Sequence, residues 1–510
     1  VAKYSIRSFL TDRLAPEQVY RFFEERRDFS TIEPIIPPLS PEDARIAPGA
    51  LSRARAALKK LGKRSLPGAV PPDFSPPAVL ADTAAGYDSD LHERVRRIAW
   101  YLSSYLFIHD DPAFPFVSKD RREARYADTI RAHEGPVLFV PSYNSHFDSV
   151  VICVYLDALG LGLPFSALGD LLMPNQAVEH EIKRLRVIKI TKSHLWAPHY
   201  PAYERILAEY LKALFEGGAR VVVHGEASRY TTRSIDGTLR ATMPPWIISA
   251  LLLSERDVLV VPLTLSFSRV PEDRALTYHK PLAGLISRRD MSADVPIGRY
   301  MRFGRGYWGR LFSAVLDGMP GVYGRAYLTL GEPFSKQDII KGAPPGRDPG
   351  DTIARRAMEE AARNKKVLPT HLVAGTLMSR DRLTKRDLHA AAAEQLERII
   401  TFHRERYGAD PDLDDSFSGG IGRAVEAGLS PMMERAIVKK GLMIPRRFYL
   451  SNRVLGRFYA NQLDHRIYPQ WSRHNLTVVN AGAFGYTLTT HLGRKFDTAP
   501  QYTDWSLVLF

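Results

Sequence analysis

Between Gly135 and Tyr327 the chain alternates short continuous apolar runs with longer stretches of helical spacing. That alternation predicts strands separated by helices. Val137 to Val140 reads as a short buried strand, followed by a Pro-Ser-Tyr-Asn-Ser turn. His146-Phe147-Asp148 then opens an apolar helix that ends near Gly160. Val187-Ile-Lys-Ile190, Arg220 to His224, Val258 to Leu265 and Tyr327 to Leu330 read as further strands. Pro201 suits a first helical position, Ile206, Tyr210 and Leu214 share one helical face, and Gly217-Gly218 stop that helix. A further helix is expected around Trp246 to Leu253. Strands of this kind, alternating with helices, imply an α/β sheet covered on both faces.

The flanks read differently. Residues 1 to about 120 look helical and irregular, with breaks at Pro34-Ile-Ile-Pro-Pro and from Pro67 to Pro77. Glu93 to Ile108 predicts a helix with an aromatic apolar face of Ile98, Trp100, Tyr101, Tyr105 and Leu106. Pro344 to Gly350 reads as a linker, and Thr384-Lys-Arg-Asp387 as a capping box opening a helix to Gly408, with Leu388, Leu396 and Ile399 turned to a core. Residues to about 470 are expected to remain largely helical. The last stretch returns to strand, glycine turn, helix and strand: Leu476 to Val479, Asn480-Ala-Gly-Ala-Phe-Gly485, and Trp505 to Phe510. This is the opening of a dinucleotide-binding unit, with Gly482 and Gly485 as cofactor-binding positions and Asn480 at the first glycine. It stops short of the ribose-binding acid, so the NAD site it implies is incomplete. Four regions follow: 1–125 mainly helical, 126–340 the α/β core, 341–472 helical, and 473–510 a truncated Rossmann-like segment.

Composition adds limits. At 510 residues, 45% hydrophobic and 25% charged, the chain is ordinary globular material. Cys153 is its one cysteine, which excludes an internal disulfide framework and a Cys-based zinc site and suggests a buried small side chain. The net charge of +14 suits an anionic partner. No nucleic-acid motif is present, so anionic lipid or a phosphorylated substrate is the better match. Arg299 to Arg310 interleaves cations with aromatics, as a membrane interface or a surface loop with cation–π pairs would. Ser149 to Leu168 carries Asp157, Gly160, Gly162 and Pro164 and reads as a buried helix rather than a span. Val1 to Arg7 lacks the apolar run of a secretion signal.

Candidate chemistry concentrates where the first strand meets its helix. There His146 and Asp148 form a base and its orienter, or a helix cap and an ordinary first-turn acid. Five blocks then carry a resemblance. Gly135-Pro-Val-Leu-Phe-Val-Pro-Ser-Tyr-Asn-Ser-His-Phe-Asp148 is similar to G-P-V-x-x-V-P-x-H-R-S-H-x-D, and Glu226-Ala-Ser-Arg229 to E-G-x-R. Val261 to Phe267, Gly324 to Phe334 and Val367 to Leu377 resemble V-P-[IV]-x-I-x-Y, V-Y-V-N-F-G-E-P and V-T-P-x-x-L-V-A-x-x-L. Together they resemble the glycerol-3-phosphate acyltransferases of the lysophospholipid acyltransferase group, in the segment from about 130 to 400.

The resemblance implies an acyltransferase-type mixed sheet and transfer of a fatty acyl group from acyl-CoA or acyl carrier protein to glycerol 3-phosphate. It implies a peripheral enzyme of phospholipid synthesis at the cytoplasmic face of an anionic membrane, with no metal and no cofactor beyond the acyl donor. Asp148 matches the aspartate of H-x-x-x-x-D. Tyr143 stands where the catalytic histidine belongs, and His146 matches the second histidine. The base is therefore His146 as a substitute or Tyr143 itself; otherwise the chain is a catalytically inactive, lipid-binding module. Lys192, Glu226, Ser228 and Arg229 fall in the phosphate-binding blocks, with Thr191 and Ala227 where those blocks have arginine and glycine, and Pro262 falls at the acyl site. Val478 to Leu488 resembles the start of NAD-dependent glycerol-3-phosphate dehydrogenase, which implies NAD only if a longer chain continues as that enzyme.

Overall fold

The computed structural model describes residues 16–25, 41–62, 66–68, 70–109, 116, 121–142, 144–145, 147–170, 173, 176–195, 197–225, 243–271, 273, 320–342, 346, 348–441 and 445–463. Helices α1 (Pro16–Glu24), α2 (Pro41–Leu61), α3 (Pro76–Thr83), α4 (Ser89–Leu106) and α5 (Arg121–Ala132) precede strand β1 (Val137–Pro141). There follow α6 (Asp148–Ala158), β2 (Phe165–Gly169), α7 (Gln176–Arg184), β3 (Val187–Ile190), α8 (Lys192–Leu195), α9 (Tyr200–Glu216) and β4 (Arg220–Val222). Next come α10 (Pro245–Leu253), β5 (Leu259–Phe267), β6 (Ala326–Leu330) and β7 (Phe334–Ser335). The C-terminal part comprises α11 (Lys336–Gly342), α12 (Pro349–Arg363), α13 (Pro369–Ser379), β8 (Leu383–Thr384), α14 (Lys385–Tyr407), α15 (Ile421–Glu434), β9 (Val438–Lys440), β10 (Arg447–Leu450) and α16 (Arg453–Ala460).

The main sheet runs β3-β2-β4-β1-β5-β6, with β7 also paired to β5. The strands from β3 to β5 are parallel, whereas β6 and β7 run antiparallel to β5. This is the α/β mixed sheet flanked by helices that was expected. β1 is buried at every position because both its faces are covered. Its side chains alternate between two cores. Val137 and Phe139 face the one built with α4, α6 and the C-terminal helices, and Leu138 and Val140 the one built with α2, α9 and α10. The N-terminal helices join both layers: α2 packs on α9, and α4 on α6.

Several elements begin or end away from their expected places. β4 stops at Val222 rather than His224. Pro349, read as linker, opens α12, because proline is preorganised for a first turn and Asp348 accepts the N–H of Gly350 at 2.9 Å. Within the largely helical C-terminal part, β8, β10 and β9 form a three-stranded antiparallel sheet. Its strands of two to four residues are too short to show a period. Cys153 lies partly buried on α6. Burial, reinforced by Asp157, pushes its thiol up to about 12, which makes it a poor nucleophile. Pro34 to Pro38, Arg299 to Arg310 and the Rossmann-like tail with Gly482 and Gly485 lie outside the described residues. Among the described residues no helix is long and apolar enough to cross a membrane.

Candidate functional site

β1 lies between β4 and β5, so its C-terminal end opens in the middle of the sheet edge. In open α/β sheets this is where ligands are held. The chain leaves β1 still tied to β5. Ser142 N donates to Leu263 O at 2.9 Å, and Ser142 Oγ accepts from Leu265 N at 3.1 Å. Asn144 extends the tie: its Nδ2 donates to Ser142 Oγ at 3.3 Å and to Leu265 O at 3.2 Å.

Asp148, the first residue of α6, is fully buried. Its Oδ2 accepts the backbone N–H groups of Asn144 at 2.7 Å and Ser145 at 3.0 Å, and Ser145 Oγ accepts Phe147 N at 2.9 Å. A first-turn acid that merely complemented the helix would serve α6 itself. Asp148 instead reaches back and closes the loop before it. The cap position of α6 is Phe147, which supplies no side-chain acceptor. Tyr143 and His146, the two candidate bases, lie outside the described residues.

The neighbouring strands bring Gly225 and Pro262 beside β1. Gly225 N donates to Pro141 O at 3.3 Å, and a Cβ on Gly225 would lie 2.6 Å from Val140 Cγ1. Only glycine permits that approach, and it brings the chain beside the β1 loop one residue before Glu226. Glu226, Ser228 and Arg229 themselves lie outside the described residues. Pro262 is buried in β5, opposite Val140. Its missing N–H is tolerated where β6 gives way to β7, and its carbonyl accepts Gly331 N at 2.8 Å.

Lys192 opens α8 just past the C-terminal end of β3; its side chain lies outside the described residues. β3 is three strand spacings from β1, roughly 14 Å. Lys189, within β3, is engaged with Asp82 at 2.9 Å and Glu179 at 2.7 Å. Burial opposes its charge, but the hydrogen bonds to Glu179 and Asp82 outweigh burial and raise its pKa. Thr191 N donates to Tyr203 OH at 2.8 Å. Nearby, His194 Nδ1 and His199 Nε2 are 2.8 Å apart, and burial together with His199 holds His194 below the usual histidine value.

One residue beside the loop escaped the sequence reading. Lys365, between α12 and α13, is 4% exposed. Its Nζ donates to Leu265 O and lies 3.4 Å from both Asn144 Oδ1 and Gln462 Oε1. It thus ties the C-terminal helices to the loop that Asp148 closes. Next to it, Lys366 binds Asp412 at 2.9 Å and sits 4.6 Å above the Tyr327 ring. The one signal in the sequence was a lysine pair directly ahead of an apolar block, Lys365-Lys366-Val367-Leu368.

No known protein-family model matches the chain. Curated relatives include the glycerol-3-phosphate acyltransferase of Baumannia cicadellinicola subsp. Homalodisca coagulata, 29% identical over 189 residues, which are 36% of this chain and 22% of that protein. The glycerol-3-phosphate acyltransferase of Pseudomonas putida (strain W619) is 26% identical over 352 residues, covering 64% of this chain and 38% of that protein. The enzyme of that name from Pseudomonas syringae pv. tomato is 24% identical with the same coverage. The chain therefore spans well under half the length of the curated relatives it matches.

Proposed function

Since the chain is a relative of the bacterial glycerol-3-phosphate acyltransferases, as its five blocks imply and the curated relatives bear out, we propose that it transfers an acyl group from a thioester to glycerol 3-phosphate. The observation that carries the reading is the buried Asp148 carboxylate, clamped by two loop amides at the mouth of the central strand. A carboxylate held in this way orients a base beside it. The base, His146 or Tyr143, takes the proton from the acceptor hydroxyl. The alkoxide oxygen attacks the thioester carbonyl, and the tetrahedral intermediate expels the thiolate, which takes up a proton. Tyr143 needs a lowered pKa for this task, because an unperturbed phenol near 10 is a weak base at neutral pH.

Lys192 and Arg229 bind the acceptor phosphate, with Glu226 and Ser228 completing their block, and Pro262 lines the acyl side. The donor is acyl-CoA or acyl carrier protein, and the chemistry calls for no metal. NAD enters only if a dehydrogenase continues beyond Gly482 and Gly485. The enzyme works peripherally, at the cytoplasmic face of an anionic membrane.

Purified protein given either donor with glycerol 3-phosphate is expected to release free thiol in an acceptor-dependent manner, and Asp148→Ala to abolish it. No release with either donor, together with release gained by Tyr143→His, identifies a catalytically silent relative. No release from either protein overturns the reading.

A further inference from the structure

Over much of the described surface, cations meet carboxylates: Arg94 with Glu17 and Glu24, Arg184 with Asp88 and Glu181, Arg404 with Asp410. The β9–β10 hairpin departs from this pattern. From Val438 to Leu450 the chain carries Lys439, Lys440, Arg446 and Arg447 and no Asp or Glu. All four cations are exposed, and none has a carboxylate partner among the described residues. The acids at the border are engaged elsewhere: Asp381 with Arg453 at 3.0 Å, Glu426 with Lys385 at 2.8 Å, and Glu434 with Arg269.

Register organises these charges. Lys439 lies opposite Tyr449, Lys440 opposite Phe448, and Arg447 opposite Thr384 on β8. Side chains alternate across a sheet, so Val438, Phe448 and Leu450 turn inward and are buried. Lys439, Arg447 and Tyr449 share the outward face, where the Arg382 guanidinium lies 5.7 Å from the Tyr449 ring. Lys440 Nζ reaches the margin over the Phe448 ring at 5.6 Å. These cations are spread along two strands and do not converge on a point. A single phosphate would want convergence; an array of phosphate headgroups matches the spread. The amphipathic Tyr449 ring suits headgroup depth.

We propose that the outward face of the β9–β10 hairpin docks this protein on an anionic phospholipid surface. The proposal deepens the acyltransferase reading by naming the face that meets the membrane, yet it is measured without turnover and can hold where catalysis fails. Cosedimentation of the 510-residue chain with phosphatidylcholine vesicles, with and without phosphatidylglycerol, tests it. Binding is expected only with the anionic lipid and is lost at high salt. Lys439→Gln and Arg447→Gln, on the outward face, are each expected to weaken it by about fivefold, Lys440→Gln and Arg446→Gln at its margin by less, and all four together on the order of a hundredfold. A control removes four exposed cations elsewhere, Arg55→Gln, Lys59→Gln, Lys60→Gln and Lys341→Gln. Near-normal binding by the control supports the hairpin, whereas an equal loss shows that net charge alone drives binding and overturns the proposal. Retention on an RNA column without vesicle binding also overturns it.

Discussion

Asp148 acts backwards along the chain, and its removal has a defined cost. Asp148→Ala leaves the buried N–H groups of Asn144 and Ser145 without their acceptor, at about 3 kcal/mol. A lowered urea midpoint with an unchanged m-value is the expected result. Asp148→Asn keeps an acceptor oxygen and should cost less, while still losing the charge that the proposed mechanism uses to orient a base. Lys365 is the second residue whose role is a matter of position. Lys365→Met keeps most of the stem volume and removes the Nζ contacts to Asn144 and Leu265. Turnover is expected to fall by about tenfold or more, because a loop displaced by a fraction of an ångström misaligns the reacting groups. The acceptor KM should stay near its original value, and Lys365→Arg should recover part of the loss; steady-state kinetics on the three proteins read this out.

Among the elements, the best-punctuated ones carry their stability at their ends. Thr384 caps α14 by accepting the N–H of Asp387 at 3.2 Å, and Gly408 closes the helix at φ +69°. Thr384→Ala is expected to cost about 1 kcal/mol, and Gly408→Ala a similar amount through the left-handed backbone, both measured as shifts in thermal or urea midpoints. These caps were legible in the sequence because each uses a residue type with one strong local meaning. The β8-β10-β9 sheet was not legible. Val438-Lys-Lys440 has neither alternation nor β-branched enrichment beyond its first residue. Its strand state comes from pairing with β10 and from burying Val438, Phe448 and Leu450.

At the scale of the molecule, α4 is bolted to the core through charge. Arg96 and Asp157 are 2.9 Å apart with both side chains buried, and burial raises the Asp157 pKa despite its partner. One turn earlier, His92 is 2% exposed. Burial first, then the cations Arg96 and Arg186, push it down to about 3. A histidine depressed in the folded state contributes stability that is complete above its unfolded value near 6.5 and lost as pH falls towards 3. Stability should therefore decline on acidification below about 6.5, by about 1.4 kcal/mol per pH unit from this group. His92→Gln is expected to flatten that slope in urea titrations across the same window, whatever its effect at neutral pH.

The apolar run from Val137 to Val140, the glycine pair after α9 and the capped ends of α14 were readable along the chain, because a buried strand or a helix stop depends on neighbours in sequence. The family blocks were readable for the same reason: each is a short local string. The meeting of Lys365 with Asn144 across 221 residues was not, nor was the strand order that sets β4 and β5 beside β1. Such contacts depend on register and layer packing, and they leave no period in the local sequence. Asp148 belongs to both accounts. Its place in the motif was visible in the string, but the direction of its carboxylate, towards the amides of Asn144 and Ser145, was set when β1 and α6 packed into the sheet edge.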